Sequence, residues 1–119
     1  MGIGVRQNRE KQIDAVWKLV RKTAEKLKIR EISRGKILVD DRYIGKGYAI
    51  PTDGTIEAIT LLGQTEGILL DPVYSGKGMA GLIDMVRNGD FSQGEKILFL
   101  HTGGSAALFA YEQELIEYS

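Results

Sequence analysis

The chain contains no cysteine and one histidine, His101. Without thiols there can be no disulfide, no thiol nucleophile and no cysteine-held metal or cluster, and a single imidazole cannot build a histidine-rich metal site. No metal centre is expected. Long apolar runs are lacking too. Stretches such as residues 97–100 fall far short of the roughly 20 residues a bilayer span needs, and the N-terminus lacks a basic-then-apolar signal pattern. A cytoplasmic location with no membrane partner is the expectation. Charge of one sign is also missing, with 16 basic residues against 16 acidic. The basic residues crowd the first half, from Arg6 and Arg9 to Lys28 and Arg30, but Glu10, Asp14 and Glu25 interleave with them. That pattern reads as a solvated helix face. No nucleic-acid-binding motif accompanies it, so no nucleic-acid partner is expected.

What is present is an ordinary globular composition, 43% hydrophobic and 27% charged over 119 residues. A globule of this length buries roughly two thirds of its unfolded surface, enough for a core without staples. Residues 1–5 are apolar and glycine-rich, read as a strand, and lead to Asn8, a good helix N-cap. From 9 to 28, Ile13, Val16, Trp17, Val20, Ala24 and Leu27 recur at helical spacing, which predicts a long amphipathic helix with Trp17 inward. Residues 37–39 are a candidate short strand, and 40–48 a glycine-punctuated connection of the kind that carries function. Pro51 and Thr52 open a second helix running to about Glu66, stopped by Gly67. A tight turn with the apolar run 68–70 follows. A third helix covers 76–88 with Met79, Leu82, Ile83 and Val86 inward, ended by Gly89. Within it Gly78 and Gly81 each cost about 1 kcal/mol relative to alanine, which points to close approach of another backbone or a ligand. Residues 96–101 read as a buried strand and 105–115 as a last helix.

Helices alternating with strand-like segments argue for α/β architecture with a mostly parallel sheet. Two or three short strands are too few to close such a sheet, which is normally covered by helices on both faces. Residues 1–119 are therefore expected to form one partial domain, a piece of a larger open sheet. In sheets of this type ligands bind beyond the carboxyl ends of the strands. Tyr74 and Thr102 sit at two strand-to-helix turns of that kind and are the candidate site residues.

The segments Gly47-Tyr48, Thr55-Ile56-Glu57-Ala58-Ile59, Thr65-Glu66-Gly67, Leu70-Asp71-Pro72-Val73-Tyr74-Ser75-Gly76-Lys77, Met79-Ala80-Gly81-Leu82 and His101-Thr102-Gly103-Gly104, with Ala107-Leu108-Phe109-Ala110-Tyr111, carry a specific match. They resemble the pyridoxal-phosphate enzymes grouped as D-cysteine desulfhydrase and 1-aminocyclopropane-1-carboxylate deaminase, relatives of the tryptophan synthase β-subunit. The resemblance covers nearly the whole chain but only about the C-terminal third of such an enzyme. It implies the C-terminal piece of the large, cofactor-binding domain.

By that resemblance Tyr74 faces the substrate beside pyridoxal 5'-phosphate, and Tyr48 is the second aromatic of the pair. These are the candidate catalytic residues. A phenol with an ordinary pKa near 10 transfers a proton only if its neighbours poise it. Thr102, Ser75 and Gly103 are the implied cofactor-binding residues, Thr102 being the one that approaches the pyridine nitrogen. A neutral hydroxyl cannot hold that nitrogen protonated as a carboxylate would, which weakens the electron sink and suits β-elimination of a good leaving group. Ser75 departs from the ring-opening deaminases, which carry an acidic residue directly after the tyrosine. Ala106 stands where relatives usually have proline. The family's Schiff-base lysine and its phosphate loop lie in a segment this chain does not contain, so neither Lys77 nor Lys46 takes that role, and His101 reads as a satisfied strand-end ring rather than a base.

The expected function is that of the C-terminal fragment of a D-cysteine desulfhydrase-type lyase, acting on a small amino-acid substrate to give pyruvate, ammonia and sulfide, and inactive alone. Alternatives are a fragment of a ring-opening deaminase, a non-catalytic binding module, and a subunit completed by a partner chain that carries the upstream part. The family's dimeric habit implies self-association of the complete enzyme.

Overall fold

Local capping chemistry sets the helices. The structure is a computed structural model and describes residues 1–118. The Asn8 side chain accepts a hydrogen bond from the Lys11 amide at 3.1 Å and starts α1 (Arg9–Leu27), which ends where Lys28 turns to φ 55°. Thr52 accepts from the Thr55 amide at 3.2 Å to start α2 (Asp53–Glu66), and Gly67 closes it at φ 66°. Each cap satisfies helix-end groups that would otherwise lack partners. Strands β1 (Gly2–Ile3) and β2 (Val39–Asp40) pair in parallel, Gly2 opposite Val39 and Ile3 opposite Asp40, with α1 as the crossover. Then come α3 (Ser75–Arg87), a 3₁₀ run from Ser105 to Tyr111, and α4 (Glu112–Tyr118). The architecture is α/β with a parallel sheet, as expected.

The core sits mainly between α2 and α3, which make the largest contact between elements. Ile56, Ala58 and Ile59 of α2, Ala80 and Met85 of α3, and Leu70 and Val73 of the intervening turn are all buried, as are Thr55 and Lys77. The inward face of α3 is shifted from the predicted one. Gly76, Lys77, Ala80, Gly81 and Met85 are buried while Val86 is exposed. The reason is close approach: a Cβ on Gly81 would stand 2.9 Å from the Ile3 side chain and 3.1 Å from the Tyr43 ring. Side chains, not a backbone or a ligand, exclude bulk there. Trp17 is only half-buried, with the Arg21 guanidinium 5.1 Å from its ring centre.

The predicted buried strand at 96–101 is not formed. Leu98 is 92% exposed and Leu100 78%, and the segment pairs with no strand among the described residues. A strand is defined by its neighbour, because its backbone groups need a ladder. Residues 68–70 are likewise irregular, and the predicted last helix begins as the 3₁₀ run. The whole chain is correspondingly open. Its radius of gyration is 15.8 Å, where a compact chain of this length has about 13.5 Å. Its surface is 8572 Å², where a compact monomer of its mass exposes about 6400 Å².

Candidate active site

The turn Asp71-Pro72-Val73-Tyr74 launches α3 through one carboxylate. Asp71 is 1% exposed and accepts hydrogen bonds from the amides of Val73 at 2.9 Å, Tyr74 at 2.7 Å and Ser75 at 2.8 Å. The Ser75 hydroxyl donates to the same carboxylate at 2.6 Å and accepts from the Asp71 amide at 2.8 Å. Burial pushes this carboxyl up, but the bonds from Ser75, Tyr74 and Val73 outweigh it and hold the group below the usual carboxylate range. Negative charge at a helix N-terminus is favoured by the peptide dipoles as well. Gly76 completes the lock, since a Cβ there would lie 2.6 Å from the Asp71 carbonyl oxygen. The Asp71 role was absent from the sequence reading. Its signal was an acid just before a helix start, with serine four residues on.

Tyr74 leaves this rigid turn half-exposed and meets Tyr48 edge-on, ring centres 5.9 Å apart at 65°. Their hydroxyls are hydrogen-bonded to each other. That bond, with desolvation, raises the Tyr74 pKa above its ordinary value, opposed weakly by Arg6, whose guanidinium lies 5.6 Å from the Tyr48 ring centre. The two sequence-predicted catalytic tyrosines are thus brought together. Tyr48 rides on the irregular 41–50 loop, whose Ile44 and Gly47 carbonyls accept from Lys77 Nζ and whose Ala49 carbonyl accepts from the Tyr111 hydroxyl.

Tyr74 and Ser75 share a cleft of about 540 Å³ with Thr102, between β1, the start of α3 and residues 97–102. The Thr102 hydroxyl has no hydrogen-bond partner among the described residues. Gly103 adjoins the cleft at φ 95°, its amide donating to His101 Nδ1 at 3.0 Å. With Nδ1 accepting, His101 carries its proton on Nε2 and donates it to the Leu69 carbonyl at 3.1 Å. This is a satisfied ring, as predicted. Gly104 packs so tightly that a Cβ would stand 2.7 Å from an Asp71 carboxylate oxygen. Another cleft, of about 600 Å³, lies outside α1 among Lys18, Arg21, Lys22 and Glu31, where charge is mixed and none of these site residues is found.

A profile of the family described as "Pyridoxal-phosphate dependent enzyme" matches residues 3–103. The chain belongs to that family. Among curated relatives it is 44% identical to a 1-aminocyclopropane-1-carboxylate deaminase of Burkholderia vietnamiensis over 95% of this chain and 34% of the relative. A deaminase of the same name from Pseudomonas syringae pv. syringae is 46% identical over 93% of this chain and 33% of its own. A crystal structure of an ACC deaminase homologue superposes with a TM-score of 0.85 at 36% identity, covering 99% of this chain and 35% of that one. The chain spans about a third of the length of the relatives it matches.

Enzymes of this family depend on pyridoxal phosphate. The residues present fit one end of that group: Thr102 and Tyr74, the latter hydrogen-bonded to Tyr48, border an otherwise largely apolar cleft with room for an aromatic ring. The cleft has no lysine among its lining residues, and Lys77 is turned to the loop carbonyls instead.

Proposed function

We propose that this chain forms the tyrosine-bearing wall of a pyridoxal-phosphate lyase that carries out β-elimination on a small thiol-bearing amino acid, D-cysteine being the type substrate. The observation that carries the reading is the state of Ser75. Its hydroxyl is spent in both directions on Asp71, and no carboxylate stands at that position to hold a pyridine nitrogen protonated. Thr102 is the residue that would meet the ring nitrogen, and a neutral hydroxyl there favours substrates whose own leaving group relieves the developing charge. The cofactor, when bound, supplies the electron sink. Tyr74, hydrogen-bonded to Tyr48 and kept protonated by its raised pKa, is the group placed to give a proton at the substrate, and the Asp71 turn fixes the direction of its ring. Apolar residues Ile3, Phe99 and Leu82 line the cleft and limit water around the reacting atoms.

In this reading the cofactor's covalent lysine and phosphate loop come from the part of the family fold that this chain does not span, on the same or a separate polypeptide. In this reading the complete assembly is a dimer that works in the cytoplasm. A second reading, ring-opening deamination, is favoured by the names of the relatives at 44% and 46% identity. One experiment separates the two. The chain is mixed with a polypeptide comprising the first two thirds of such an enzyme and with pyridoxal phosphate, and is offered D-cysteine and 1-aminocyclopropane-1-carboxylate. Sulfide release on mixing, with none from either part alone, is the expected result. Keto acid from the cyclopropane substrate without sulfide would replace the first reading by the second.

A further inference from the structure

Lys77 is among the largest side chains sealed completely inside the chain, at 0% exposure. It makes no ion pair among the described residues. Its ammonium instead donates to two backbone carbonyls, Ile44 at 2.6 Å and Gly47 at 2.9 Å. Burying a cation against dipoles alone is costly, and burial draws the Lys77 pKa down, so the retention of a lysine here calls for a reason. Two placements suggest one. Lys77 follows Tyr74 by three residues, about one helical turn, and the Gly78 amide bonded to the Tyr74 carbonyl at 2.9 Å ties that turn together. At its other end the side chain grips Gly47, the residue directly before Tyr48. Tyr111 and Tyr43 also hold the 41–50 loop, through Ala49 and Asp84, but neither starts from the turn that carries Tyr74.

We propose that Lys77 is the positioning residue of the tyrosine pair: one side chain rooted in the Tyr74 turn pins the loop before Tyr48 and so sets where the two hydroxyls meet. The proposal rests on the reading of Tyr74 and Tyr48 as a working pair. Lys77 itself does not line the cleft that Tyr74 borders.

The test is a cycle of Lys77→Met, Tyr48→Phe and the double variant in the full chain, each tyrosine ring titrated separately by NMR of carbon-labelled tyrosine, with helical circular dichroism as the folding control. In the unaltered chain Tyr74 titrates above the ordinary phenol value. Tyr48→Phe lowers that midpoint toward about 10. Lys77→Met lowers it in the same direction with helix content kept, and in the Tyr48→Phe background it adds nothing further. An unmoved midpoint in Lys77→Met, or an effect that adds fully to that of Tyr48→Phe, overturns the assignment of Lys77. An unmoved midpoint in Tyr48→Phe overturns the pair itself, and with it the proposal. If Lys77→Met loses its helical signal, Lys77→Gln, which keeps a donor but falls short of both carbonyls, is read by the same two criteria. Because the readout is a titration and not turnover, failure of the lyase reading shows separately, in the sulfide and keto-acid assays.

Discussion

The turn at 70–77 and the segment at 96–102 both lead to a site residue, Tyr74 in one and Thr102 in the other, yet they are held in opposite ways. Around Tyr74 every strong group has a partner inside the chain: Asp71 accepts four bonds, Lys77 donates two, and Leu70 is fully buried. Around Thr102 the chain is irregular, Leu98 and Leu100 are exposed, and no strand ladder satisfies the backbone among the described residues. Stability in one chain is not uniform, and the two walls of the cleft belong to different ends of that range. The Tyr74 wall is built by this chain's own contacts. The Thr102 wall has the composition of a buried strand and the exposure of a surface, which is what a sheet element looks like without its neighbour.

The contrast can be broken most directly by truncating one leucine on each side. Leu70→Ala should lower unfolding stability by roughly 3 kcal/mol, since a fully buried leucine loses both transfer energy and packing. A loss under about 1 kcal/mol in a denaturant titration would show that the Tyr74 wall is no better packed than the other. Next in size is Asp71→Asn, expected to cost about 2 kcal/mol because an amide nitrogen would face amides that now donate to a carboxylate. Its pH dependence has a definite sign. The folded carboxyl lies below its ordinary value of 3.8, so its contribution is complete above that value and is lost as pH falls below it toward the folded value. Acid unfolding followed by circular dichroism should therefore be shallower in the variant. Breaking the exposed Arg87–Glu57 pair, held at 2.6 Å between α3 and α2, should cost less than about 1 kcal/mol, by thermal melting of Arg87→Ala. The smallest effect is Leu98→Ala, within about 0.5 kcal/mol in this chain alone. The same change should weaken association with a complementary upstream polypeptide, measured by calorimetry, and equal affinity would separate Leu98 from any shared sheet.

The helix ends at Asn8, Thr52, Gly67 and Gly89 were legible because capping is decided within a few residues. The strand at 96–101 was misread for the opposite reason: its apolar pattern is real, but pairing depends on residues elsewhere. Tyr48 and Tyr74 are 26 positions apart, and no spacing rule joins them; the family resemblance put both in the site and the 41–50 loop brings the rings together. Lys77 could not be placed by pattern, because charged side chains are normally read outward. The shifted face of α3 follows from the same cause, since the buried positions 76, 77 and 81 hold two glycines and a lysine, which a search for recurring large apolar groups passes over.

Gly104 links the two walls that otherwise differ so much. With no side chain of its own, it rests against the carboxylate that starts α3, so the backbone just beyond Thr102 and the hydrogen-bond lock beneath Tyr74 share one anion. A methyl group at residue 104 would have to displace either the lock or the backbone after Thr102, and with a backbone at φ 98° it would be strained as well. The width of the cleft is thereby gauged by an atom that is absent: the missing Cβ acts as a spacer of fixed thickness, and the gap between tyrosine and threonine cannot be retuned without first remaking the start of the helix.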